Sequence, residues 1–100
     1  MLAVAVVGAT VDGSTLRPMR VPEQPDAAAL DLLLTRTAVV VELRATPDNA
    51  PRAQELLAAI QAEVDAALDS RQKHREWRVR RYTVLSLLAE LDQLLYYSLP

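Results

Sequence analysis

The densest chemistry in this chain is the run Arg71-Gln72-Lys73-His74-Arg75-Glu76-Trp77-Arg78-Val79-Arg80-Arg81. It holds six of the eleven Lys and Arg residues: Arg71, Lys73, Arg75, Arg78, Arg80 and Arg81. Guanidinium groups pair with phosphates or carboxylates through a planar fork, and Trp77 or Tyr82 offers a flat ring for stacking. Two external contacts suit that combination, nucleic acid and an acidic protein surface. A third use is local: charges along an edge strand keep other strands from adding to it. Asp65 and Asp69, on the preceding segment, could receive the basic run of a second copy. Such a head-to-tail contact builds rings or filaments.

Catalytic groups are sparse. His74 is the sole histidine. Asp65 and Asp69 lie four residues apart and could complete a site of one imidazole and two carboxylates. They fall, however, on the polar side of an amphipathic pattern, where a carboxylate is normally solvated. Ser14, Ser70, Ser86 and Ser98 stand in no G-x-S-x-G elbow. Cysteine is absent, which excludes disulfides, thiolate zinc sites and thiol nucleophiles. Gly8 to Thr15 has spacing close to a phosphate-binding loop, but Ser14 stands where the lysine belongs. Leu16-Arg17-Pro18 also denies it the helix that must follow. Asp12-Gly13 therefore reads as a hairpin turn. No catalytic residue, cofactor or metal is expected, and the chain reads as non-enzymatic.

The charge map is segregated. Residues 1–70 carry five Arg against ten Asp and Glu, a net −5. Residues 71–81 carry six cations against Glu76, a net +5, and residues 82–100 carry −2 from Glu90 and Asp92. The total of −2 therefore conceals one basic stretch between two acidic ones. A hydrophobic share of 51% over 100 residues is enough for one packed domain and argues against disorder. With no Phe, the core must come from Leu, Val and Ala. No apolar run is long enough to span a bilayer. The first residues lack the basic stretch of a secretory leader, so the cytoplasm or a virion is the expected location.

Several elements could position these residues. Leu2–Val7 reads as a covered strand, and Ser14–Val21 as its return on a sheet edge. Asp26–Thr35 reads as a short helix begun by Pro25 or Asp26. Thr37–Arg44 alternates as a strand, with Val39, Val41 and Leu43 on one face. Thr46 or Asp48 can cap a helix from Pro51 to Asp69, with Ala53, Leu57, Ile60, Val64, Ala67 and Leu68 inward. Glu76–Val84 favours a strand, rivalled by one long helix continuing through Trp77. Leu85–Leu99 reads as a final helix, its stripe of Val84, Leu88, Leu91 and Leu95 widened by Leu87 and Leu94. The expected fold is a single α+β domain spanning 1–100. It has two layers: a mixed sheet of three to four strands with about three helices packed mainly on one face.

A wide leucine stripe and a segregated basic run predict a structural or assembly subunit. Such a subunit self-associates or docks on a larger particle, a virion component being one setting. Leu87, Leu88, Leu91, Leu94, Leu95 and Tyr96 would form its apolar contact, and the 71–81 cations its polar one. The alternative is a nucleic-acid-binding regulator or inhibitor using the same cations. No membrane partner is expected.

Overall fold

The computed structural model describes residues 20–97. The expected strand Leu2–Val7, the Gly8–Thr15 loop and nearly all of the return strand lie outside them. Three helices follow in order: α1 (Ala27–Arg44), α2 (Ala50–Asp69) and α3 (Lys73–Asp92). The last turn after α3 widens into π geometry over Gln93–Tyr97. No strand occurs among the described residues. The α+β expectation with its mixed sheet is therefore overturned, and what stands is a small all-α domain.

Two segments account for the correction. Thr37–Arg44 is the second half of α1, not a strand. No Gly or Pro separates Asp26 from Pro47. Once Asp26 starts the helix, extending it through three valines costs only a few tenths of a kcal/mol per residue. The buried positions Leu30, Leu33, Thr37, Val40 and Val41 keep helical spacing across the whole length. Thr37 is fully buried, and its hydroxyl donates to the Leu33 carbonyl one turn back at 2.7 Å. Glu76–Val84 is likewise helical, as the first half of α3. Trp77, Val84, Leu88 and Leu91 share its inner face. Nor does one long helix run through from α2. Ser70 ends α2, its hydroxyl oxygen accepts from the Gln72 N–H at 3.0 Å, and the chain reverses before Lys73.

The helix starts are encoded locally. Asp26 caps α1, its carboxylate accepting from the Ala28 and Ala29 N–H groups at 3.0 and 3.3 Å. Thr46 and Asn49 exchange bonds in the manner of a capping box. The Asn49 side-chain oxygen accepts from Thr46 N–H at 2.7 Å, and the Thr46 hydroxyl from Asn49 N–H at 3.3 Å. Pro51 sits in the first turn of α2, where its missing N–H costs nothing. Asp26→Ala should remove the cap of α1 and lower stability by about 1 kcal/mol, read by urea denaturation. An unchanged midpoint would show that α1 does not depend on its cap.

The helices run up, down and up. The segment before α1 lies on the first half of α3, and Arg44 at the end of α1 stacks on Tyr96 beyond α3, 4.2 Å from the ring centroid. Between them, α2 packs chiefly on α3 and more lightly on α1. Its buried residues are Ala53, Leu56, Ile60, Val64 and Ala67. Leu56 thus takes the core place that the spacing assigned to Leu57, which is only half-buried. Fully buried alanines at 53 and 67 let α2 approach its neighbours closely. No buried side-chain polar atom among the described residues lacks a hydrogen-bond partner.

Candidate interaction surface

The basic run divides into an inner and an outer set. Helix α3 presents Trp77 to the core with no exposed surface, and its Nε1–H donates to the Pro22 carbonyl at 2.9 Å. One turn on, Arg81 reaches the same segment. Its Nε donates to the Pro22 carbonyl and its Nη2 to the Val21 carbonyl, both at 3.0 Å. Arg80 turns toward α2, with its Nη1 3.0 Å from Glu63 and its Nε 2.8 Å from Glu76. Hydrogen bonds that Arg80 donates to Glu76, and then to Glu63, hold its guanidinium further above its already high range. Arg52 is raised in the same direction, first by Glu90 and then by Glu55. The stabilisation from a raised cation is full below its unfolded pKa and fades only as pH climbs through the folded one. Arginine is charged throughout the neutral range with or without such partners, so these pairs give folding no pH dependence near neutrality.

Arg71, Lys73, Arg75 and Arg78 remain exposed. Arg75 and Arg78 share the outer face of α3 with Val79, Tyr82 and Leu85, of which Tyr82 is 71% exposed. Helix α1 has a comparable face. Leu32, Val39 and Leu43 are exposed and fall on one side, opposite the buried row. Sequence reasoning missed this outer row because a strand put Val39 and Leu43 beside Val41, which is buried.

The leucines of the last helix have another placement. Leu88, Leu91 and Leu95 are buried in the chain's own core, and Leu87, Leu94 and Tyr96 pack partly against it. The Leu94 carbonyl also accepts from the Asn49 side chain at 3.4 Å. The structure pairs His74 with Gln24 and not with either aspartate: its Nδ1 is 2.9 Å from the Gln24 side-chain oxygen, and Asp65 accepts from Gln61 at 2.9 Å. Among the described residues no group of three or more His, Asp or Glu could hold a metal ion. No described helix is long and apolar enough to cross a membrane.

The fold and faces define the class as a small all-α domain with two partly apolar outer helix faces. Comparison with known proteins finds no matching family model, no matching curated protein and no matching solved structure.

Proposed function

We propose that this chain is a non-enzymatic assembly protein that docks on other protein chains, its own copies among them. The observation that supports this reading is the two-sidedness of α1. One apolar row fills the core, and a second, Leu32, Val39 and Leu43, faces solvent. An apolar row outside the core, broken only by Arg36 and flanked by Asp31 and Glu42, is the kind of surface another chain covers. The outer face of α3 adds Val79, Tyr82 and Leu85, with arginines beside them, a composition common at protein contacts. Docking on a larger particle, a virion included, belongs to the same proposal. Size-exclusion chromatography with light scattering should show a mass that rises with concentration above the 11.0 kDa of one chain. A monomer at every concentration, together with no partner recovered from the native source, overturns the reading.

The alternative, nucleic-acid binding, draws on Tyr82 beside Arg75 and Arg78. Its resources are reduced, because Arg80 and Arg81 are engaged within the fold and Trp77 is buried. If the four exposed cations of the run each met a phosphate, the log–log salt slope would be about −3.6. Fluorescence anisotropy should show weak binding at low salt and none at moderate salt. Tight binding that survives moderate salt would favour the alternative.

A further inference from the structure

The outer faces of α2 and α3 carry opposite charge. Along α2, opposite its buried row, lie Ala58, Ala62, Asp65 and Asp69, all exposed. Along α3, opposite Trp77, Val84 and Leu88, lie Arg75, Val79 and Tyr82, with Arg78 on one flank. Val79 and Tyr82 leave 67% and 71% of their surface in solvent. Asp65, Asp69, Arg75 and Arg78 form no ion pair among the described residues. The α2 face also has a shape. Ala58, Gln61, Ala62 and Asp65 stand at i, i+3, i+4 and i+7, the four-residue hole that accepts one side chain from a facing helix. Its two alanines leave room for a ring.

Laying the α3 of a second copy antiparallel on this α2 matches the two faces. With Tyr82 seated in the hole, level with Ala62, Val79 comes level with Asp65 and Arg75 with Asp69. In an antiparallel pair, side chains rotated the same way from the contact line fall on the same side of it. Arg78 and Asp65 are rotated the same way, so guanidinium and carboxylate meet on one flank, while Arg75 faces Asp69 near the centre. At the other end Glu55 and Glu90 approach, but each is already paired with Arg52 of its own chain. Both faces lie within residues 55–90, away from the segment that precedes α1. We infer that the chain assembles head to tail, the Arg75–Tyr82 face of α3 in one copy docking on the Ala58–Asp69 face of α2 in the next. Because α2 and α3 are antiparallel within each chain, successive copies point the same way. The contact is heterologous and builds a ring or a filament according to the rotation between copies. This inference rests on the assembly reading above and names its surface and partner.

Two mixing experiments on the full chain test the contact. The sequence has no cysteine, so introduced thiols are the only ones present. Residues 62 and 82 face each other across the contact, within the Cα separation of about 7 Å that a disulfide needs. An equal mixture of Ala62→Cys and Tyr82→Cys should therefore give a covalent dimer under mild oxidation. Either variant alone should not, because a head-to-tail contact never brings one position against itself. Arg75→Glu/Arg78→Glu and Asp65→Lys/Asp69→Lys should each weaken self-association at least about 10-fold by setting like charges together. An equal mixture of those two variants should recover it, since each face then meets its opposite. All six positions are exposed, so circular dichroism should report intact folding throughout. Single cysteine variants that cross-link as well as their mixture, or charge variants that stay dissociated when mixed, overturn this contact. If the parent chain nonetheless self-associates, the assembly reading stands and another face carries it. A parent chain that is monomeric at every concentration and yields no partner from the native source removes both.

Discussion

Trp77→Ala should cost about 3–5 kcal/mol of folding stability, a large share of the 5–15 kcal/mol typical of a single domain. Trp77 is the largest fully buried side chain among the described residues and the only tryptophan in the chain. Its ring occupies the inner face of α3 in a core otherwise built from Leu, Val, Ile and Ala. No Phe exists anywhere to share that volume. Truncation opens a cavity that aliphatic neighbours fill only in part. It also removes the indole donor from the Pro22 carbonyl, which keeps Arg81 as its other partner. A melting temperature lower by roughly 15–30 °C is expected from the usual scaling for a chain of this length. Trp77→Phe should lose the hydrogen bond and part of the volume, and so cost about 1–2 kcal/mol. Both are read by circular dichroism during thermal melts. A melting temperature for Trp77→Ala within a few degrees of the parent would mean that the segment at residues 21–24 is not held by this anchor.

The same residue shows how far the sequence could be read. From sequence Trp77 reads as a ring free to stack on a partner and as part of a strand, and the structure corrects both, burying it on the inner face of a helix. Trp77, Val79, Tyr82, Thr83 and Val84 all favour strands intrinsically, and arginines alternate among them. Intrinsic β preference spans only about 1 kcal/mol and yields to packing. What decided the matter was the longer pattern: Trp77, Val84, Leu88 and Leu91 keep to one helical face with no Gly or Pro between Arg52 and Ser98. Thr37–Arg44 misleads for the same reason. Three consecutive valines satisfy a strand of either register, yet Val40 and Val41 continue the helical row begun at Leu30 and Leu33. Helix α2 was legible because proline marks its start and one unbroken 3.6-residue period runs through it. The chain reversal at Ser70 has no glycine or proline signal. The outer row of α1 was hidden by the strand reading, because only a helix sets Leu32, Val39 and Leu43 in line.

Arg81 carries the second large effect, and it bears directly on what the basic run is for. Composition treats six cations in eleven residues as one patch. The fold separates them, since Arg81 spends its fork on the Val21 and Pro22 carbonyls and Arg78 faces solvent. Arg81→Met retains the apolar stem but removes both charged donors. Each such bond contributes about 1.5–3 kcal/mol, and the Pro22 carbonyl keeps the Trp77 donor while Val21 loses its partner. A loss of about 2–3 kcal/mol is therefore expected in urea denaturation. Arg81→Lys should restore at most half, because an ammonium is a point donor and cannot span two carbonyls as a planar fork does. Arg78→Met should change stability by less than about 0.5 kcal/mol, as solvated surface positions do. If the run were a uniform nucleic-acid surface, both methionine variants would lower affinity alike and neither would shift the folding midpoint much. The opposite pattern, a large midpoint shift for Arg81→Met and almost none for Arg78→Met, is what hydrogen bonding to the 21–22 backbone requires. It would also confine any external partner of the run to Arg71, Lys73, Arg75 and Arg78.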